Sequence, residues 1–150
     1  MKQKNYRNNS NIEYTKSGCK LNGNINLSAF EESRIQDFLD NNNITTIGKW
    51  AFKGVVADKL IIPESVKEID GYSFIGCKIN KIVLTSDGVF VDRNAFKDSI
   101  IQELVLSRKR INTIDSFISI EDYPTYLGIS NHSTKISVLS ASKENPEMTE

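Results

Sequence analysis

Few residues in this chain have the types and spacing that catalysis requires. His132 is the only histidine, and it lies in the polar segment Ser130-Asn-His-Ser133, which is typical of a surface turn. Neighbouring acids occur at Glu31-Glu32 and Glu121-Asp122, but adjacent side chains point in different directions and solvate turns more readily than they share a proton. The sequence contains no nucleophile elbow, phosphate-binding glycine loop or zinc-protease helix motif. We therefore predict that the protein is not an enzyme.

A small catalytic site in the C-terminal segment is the alternative of a different class. It would be built around Asp122, Tyr123, Tyr126 and His132. A polar cluster that held His132 inside a pocket would favour this site, whereas an exposed imidazole would count against it.

The elements that must position any site follow a step of 22 residues. Phenylalanine recurs at this step, each time after a small residue, and four apolar columns keep the same interval. The phenylalanines are Phe30, Phe52, Phe74 and Phe96, and the columns are Ile25-Ile47-Ile69-Val91, Leu60-Ile82-Leu104, Ile62-Leu84-Leu106 and Ala57-Ile79-Ile101. A fixed period of this length indicates a solenoid, in which stacked units share one core.

Three of these columns, taken along the chain, spell the pattern L-x-x-L-x-L at 57–62, 79–84 and 101–106, which is the core of a leucine-rich repeat. Residues two apart in a strand face the same side, so Leu60 and Ile62 are both expected to point inward. The chain also carries Pro63, Ser65, Val66, Ile69, Phe74, Gly76 and Cys77 in the order of a longer motif. In this order it resembles the BspA-like, or Treponema pallidum type, leucine-rich-repeat family.

The period and the resemblance together predict an α/β leucine-rich-repeat solenoid. It would be a short right-handed stack of about four 22-residue repeats, with one parallel β-sheet face and short helical or irregular turns on the other. The pattern weakens at both ends, since Asp40 stands where the first unit needs its third strand leucine and the step is lost after Arg110. Because stacked strands leave open edges, we expect a cap at each end. The predicted boundaries are a flexible tail at 1–11, one domain at 12–139 (N-terminal cap 12–28, repeats 29–110, C-terminal cap 111–139) and a flexible tail at 140–150.

No metal, cofactor or nucleic-acid site is predicted. Cys19, Cys77 and His132 offer too few ligands at short spacing for a metal. The predicted stack separates the two cysteines by several strand spacings of ~4.8 Å, so we expect free thiols rather than a disulfide. Arg108-Lys109-Arg110 is the one basic run, and with 19 basic and 19 acidic residues in the chain a solvated turn is favoured over a nucleic-acid surface.

The residues between the buried leucines are the predicted partner-binding residues. If Leu60 and Ile62 point inward, then Ile61, Val83 and Val105 stack as an apolar stripe on the outside of the sheet, here named the sheet-face stripe. Its predicted flanks are Lys59, Lys81 and Glu103 on one side and Thr85 and Ser107 on the other. An exposed apolar stripe with polar rims is typical of an interaction site. β-Branched residues also favour strands for packing alone, so both interpretations stay open.

The predicted function is a non-enzymatic protein-binding module with a protein partner of unknown identity. A soluble inhibitor or immunity-type protein dedicated to one target is an alternative, and self-association through an incompletely capped terminal coil is a further possibility. With zero net charge and no apolar run of ~18–20 residues, neither nucleic acid nor a membrane is a predicted partner. The sequence shows no signal-peptide pattern, which predicts a cytoplasmic location, or the cell surface if the chain is part of a longer protein.

Overall fold

The computed structural model describes residues 12–15, 18–21 and 32–140. Phe30, Ile25 and nearly all of the two predicted tails lie outside the described residues, as does much of the predicted N-terminal cap. In chain order the elements are β1 (Ile12–Thr15), β2 (Gly18–Leu21), α1 (Glu32–Asn41), β3 (Ile44–Ile47), β4 (Val56–Ile62), β5 (Glu68–Ile69), β6 (Lys78–Leu84), β7 (Phe90–Val91), β8 (Ile100–Leu106), α2 (Arg108–Asp115), α3 (Tyr123–Tyr126) and β9 (Lys135–Val138). The mixed α/β class that the sequence predicted is confirmed.

One sheet has four parallel strands in the order β4-β6-β8-β9. Its first three strands keep the 22-residue step, because Lys59 pairs with Lys81 and Lys81 with Glu103. The last pairing joins Glu103 to Lys135, which is 32 residues further along the chain. The strand that completes this sheet therefore comes from the segment 111–139, which the sequence pattern assigned to a terminal cap.

The second sheet has five strands in the order β1-β2-β3-β5-β7. β1 and β2 pair antiparallel, and the pairs β2-β3, β3-β5 and β5-β7 are parallel. β5 and β7 are only two residues long. The prediction of a single parallel sheet is therefore wrong: the other side of the chain also carries short parallel strands, because Ile47, Ile69 and Val91 keep the same 22-residue step and pair with one another.

The core combines the inward residues of both sheets with a row of stacked phenylalanines. Phe52, Phe74 and Phe96 are completely buried. The ring centres of Phe52 and Phe74 are 5.0 Å apart, and those of Phe74 and Phe96 are 4.8 Å apart, with nearly parallel planes in both pairs. These distances match the ~4.8 Å spacing of neighbouring strands, so each ring packs on the ring one step away. The prediction that the phenylalanines form the core is confirmed for these three residues.

Backbone hydrogen bonds join successive turns beside the phenylalanines. The amides of Phe52 and Phe74 donate to the carbonyls of Ser73 and Ala95, at 2.7 and 2.8 Å. The amide of Phe96 continues the series by donating to Leu127 at 2.9 Å. Leu127 therefore occupies the place that Ala95 has one step earlier, again after 32 residues instead of 22.

The N-terminal end departs from the predicted repeat. Where the sequence pattern placed the strand of a first repeat, the chain forms helix α1, which buries Ile35, Phe38 and Leu39. The expected partner of Ile47, Ile25, is replaced by Leu21, which pairs with Ile47 in the parallel ladder. The prediction is wrong here because Ile35 and Phe38 are three residues apart, a spacing that suits one face of a helix as well as the start of a repeat.

The C-terminal end adds short helices before its strand. Helix α2 begins after Ser107, whose hydroxyl accepts a hydrogen bond from the amide of Arg110 at 3.0 Å. A 3₁₀ turn at Ile120–Asp122 and the short helix α3 follow, and Pro124 suits the first turn of α3 because it lacks an amide hydrogen. None of the helices in the described part of the chain is long and apolar enough to span a bilayer.

Candidate functional site

The outer side of the four-stranded sheet brings the predicted binding residues into line. The sheet-face stripe is in register, because Ile61 pairs with Val83 and Val83 with Val105 on neighbouring parallel strands. The same register aligns Lys59, Lys81 and Glu103 beside the stripe. The predicted alignment of both rows is therefore confirmed.

The exposure of the stripe differs from the prediction. Ile61 has 36% of its surface exposed, but Val83 and Val105 have only 8% and 9% exposed. The expectation of a continuous exposed stripe is wrong because β6 and β8 are inner strands, so side chains on both neighbouring strands cover their valines. Ile61 lies on β4 at the edge of the sheet and lacks a neighbouring strand on one side.

The charged row beside the stripe is linked across three strands. Lys81 Nζ lies 3.7 Å from Glu103 Oε1, and the hydroxyl of Ser137 donates to Glu103 Oε2. The Ser137 hydrogen bond is the main cause that lowers the pKa of Glu103, and Lys81 and Lys135 lower it further. Glu103 is therefore held ionised between cations, while Lys59 stays exposed at the end of the row.

Both hydroxyls on the other flank already serve the fold. Thr85 donates to the carbonyl of Ile62 at 2.9 Å, which ties β6 to the end of β4. Ser107 is the N-cap of α2 and is half-buried, so the prediction that it is free to contact a partner is not supported by its position. These hydroxyls fix the end of the sheet more than they offer hydrogen bonds to a ligand.

A shallow groove of about 510 Å³ follows the sheet-face stripe. Ile61, Val83 and Val105 line its floor, and Lys59, Lys81 and Thr85 lie along its sides. The groove also includes Leu139, a contact that the sequence pattern missed. The amide of Leu139 donates to Leu106 at 2.7 Å, and the 32-residue step to β9, rather than the 22-residue step, is the signal that places it there.

The alternative catalytic cluster is not assembled in one pocket. His132 and Asp122 are exposed, whereas Tyr123 is buried. Tyr123 and Tyr126 line a groove of about 380 Å³ beside α2, and neither His132 nor Asp122 is among its lining residues. The acid Glu32, from the first of the neighbouring pairs, is bound to backbone amides of β4.

The two cysteines are free and buried. The Cys77 thiol donates to the carbonyl of Phe52 at 2.9 Å, and burial raises the pKa of Cys77 to about 12. Burial also raises the pKa of Cys19. Within the described ranges, no cluster of three or more histidine, cysteine or acidic side chains could hold a metal ion.

Comparison with known families gives a match to one repeat type. The BspA type leucine-rich-repeat region matches residues 23–138 in six copies, whereas the sequence period predicted about four repeats. That family is commonly a protein-interaction module and is generally non-enzymatic. Searches of curated proteins and of solved structures find no match. Because the match spans more than half of the residues, the chain belongs to the BspA-type leucine-rich-repeat family.

Proposed function

We propose that the chain is a non-enzymatic protein-binding module, a short solenoid of about four 22-residue repeats that binds a protein partner through its four-stranded sheet. The observation that supports this proposal is the register of the sheet-face stripe. Three strands align Ile61, Val83 and Val105 as the apolar floor of one groove, with Lys59 and Lys81 along its side.

The charges of the groove indicate the chemistry of the partner. Lys59 and Lys135 are exposed beside the sheet, and Glu103 is already paired with Lys81 and Ser137. An apolar ridge with acidic side chains on one side would complement this surface. Because Val83 and Val105 are nearly covered, Ile61 supplies most of the exposed apolar area and should be the residue most sensitive to substitution.

The test is an affinity capture from the organism that encodes the chain, followed by binding measurements with the purified captured protein. The Ile61→Glu variant places a charge at the exposed end of the stripe. Val56→Glu is the matched control, because Val56 lies on the same strand and is 69% exposed but does not line the groove.

We expect Ile61→Glu to weaken binding by at least about tenfold, and Val56→Glu to bind like the wild type. Circular dichroism and thermal unfolding of both variants would establish that they remain folded. Equal affinities for the two variants would show that the partner does not contact the sheet-face stripe, and the proposed surface would have to be abandoned.

A further inference from the structure

A second groove lies where the 22-residue step is interrupted. β7 is the last strand of the five-stranded sheet, and α2 and α3 follow where the step would bring the next short strand. The resulting groove, here named the α2 groove, has a volume of about 380 Å³ and is lined largely by apolar and aromatic side chains. This volume is at the lower end of the ~300–1,000 Å³ that is usual for ligand sites.

Two phenylalanines are exposed at this groove. Phe90 on β7 is 60% exposed, and Phe117 after α2 is 63% exposed. The ring of Phe117 meets Tyr126 edge to face, with the ring centres 6.2 Å apart. Tyr123 stacks on Tyr126 at the same distance and is buried. Large apolar rings that gather at one exposed groove are typical of a binding surface, whereas single exposed apolar residues are ordinary.

Arg110 brings an unsatisfied donor to the same groove. Its Nε atom is buried and has no hydrogen-bond partner among the described residues. A buried donor without an acceptor is costly, and the cost is higher when the donor is charged. Asp87 is the acid that lines the groove in the described part of the chain, but it is exposed at the rim and forms no ion pair with Arg110 within 4 Å.

The surrounding charges also favour an anion. Arg108, Lys109 and Arg110 occupy the first turn of α2, which contains no acidic residue. Cations at a helix N-terminus oppose the helix dipole, so this placement does not serve the stability of α2. The guanidinium of Arg93 adds a further positive charge, 5.3 Å from the ring centre of Tyr126. Departures of this kind from local stability rules are expected at functional sites.

We propose that the α2 groove binds a short peptide segment of a protein partner in which an acidic residue is followed by apolar residues. The carboxylate would accept hydrogen bonds from the Arg110 guanidinium, which binds carboxylates through two parallel N–H groups. The apolar side chains would pack between Phe90 and Phe117. This site is on a different surface from the sheet-face stripe, so it stands or falls independently of the proposed sheet-face function.

The test uses two synthetic peptide libraries and the whole chain. In the first library, glutamate is fixed and followed by two positions drawn from leucine, isoleucine, valine, phenylalanine and tyrosine. The second library is identical except that glutamine replaces glutamate. Fluorescence anisotropy of labelled peptides gives affinities, and amide NMR spectra report which residues respond.

We expect saturable binding from members of the glutamate library, and affinities lower by at least about tenfold for the matching glutamine peptides. Phe117→Ser should lower the affinity to a similar extent without unfolding the chain, because Phe117 is exposed. Arg110→Lys keeps the charge but removes the planar guanidinium, so it should also weaken binding. Trp50→Ser is the control, since Trp50 is 51% exposed but does not line the groove.

Three results would overturn the proposal. Equal affinity for glutamate and glutamine peptides would show that Arg110 does not select a carboxylate and that water can satisfy its Nε atom. Unchanged affinity of Phe117→Ser would place the peptide elsewhere on the chain. No saturable binding up to about 1 mM from any member of the glutamate library would show that the groove does not bind such segments.

Discussion

The side chain of Gln36 makes two hydrogen bonds with the backbone of Ile61. Its Oε1 atom accepts from the Ile61 amide at 2.8 Å, and its Nε2 atom donates to the Ile61 carbonyl at 2.8 Å. One turn earlier in α1, the carboxylate of Glu32 accepts from the amides of Asp58 and Lys59. α1 thus occupies the free edge of β4 with side-chain groups, which prevents another strand from pairing there.

The first prediction concerns this covered edge. The double variant Glu32→Ala with Gln36→Ala would leave four backbone groups of β4 without these partners, so it should self-associate through β4 and lose about 1–3 kcal/mol of unfolding free energy. Sedimentation velocity over a range of concentrations measures the association. Asp37→Ala is the control, because Asp37 is on the exposed side of the same helix. A double variant that sediments like the wild type would contradict the assigned role of α1.

The second prediction concerns the phenylalanine row. Phe74 is in the middle, with rings on both sides at 5.0 and 4.8 Å. Phe74→Ala should lower the unfolding free energy by about 3–5 kcal/mol, because the cavity cannot collapse between two stacked rings. Phe74→Leu should cost less, since it keeps most of the apolar volume. Urea denaturation measures both, and a loss below about 1 kcal/mol for the alanine variant would show that the row is not packed as described.

The third prediction compares two positions that share a left-handed backbone. Gly76 has φ +70°, and Asp98, one 22-residue step later, has φ 58°. A Cβ at Gly76 would meet no atom within 4 Å, so Gly76→Ala should be destabilising through backbone strain alone, by about 1 kcal/mol. Asp98→Gly should be stabilising by up to about 1 kcal/mol because it removes the same strain. Thermal unfolding of the two variants should shift in opposite directions, and a shift of the same sign would reject this explanation.

The fourth prediction concerns the pH dependence of stability at Cys77. Burial raises the pKa of Cys77 from 9.0 to about 12, so above pH 9 the unfolded chain loses this proton while the folded chain retains it. The contribution is fully present below pH 9 and is lost as the pH rises toward 12, at roughly 1 kcal/mol per pH unit. The measurement is the difference in unfolding free energy between the wild type and Cys77→Ala at several alkaline pH values. A difference that stays constant with pH would contradict the raised pKa.

Much of the middle of the fold could be predicted from the sequence, because inward strand residues alternate and every stacked unit repeats the same contacts. Leu60, Ile82 and Leu104 are buried at the interval that the columns require. The helix α1 could not be distinguished from a strand, since Ile35 and Phe38 fit both patterns. The burial of Leu39, next to Phe38, is the feature that suits only the helix.

The candidate site was predicted in its register but not in its exposure. The step of 22 aligns Ile61, Val83 and Val105, yet the coverage of each residue depends on how many strands flank it, which the period alone does not reveal. The α2 groove escaped prediction for a related reason. Its walls come from the segment that lengthens one step to 32 residues, so Phe90 and Phe117 do not fall in any shared column.

The most direct test of the protein-binding surface is methyl NMR cross-saturation with the captured partner. Isoleucine and valine methyl groups are labelled in this chain, and saturation is transferred from the unlabelled partner. We expect the largest intensity losses at Ile61, Val83 and Val105, and little change at Val56. Losses confined to Val89, Val91 and Ile114, which line the α2 groove, or losses elsewhere that leave the stripe unaffected, would contradict the sheet-face function.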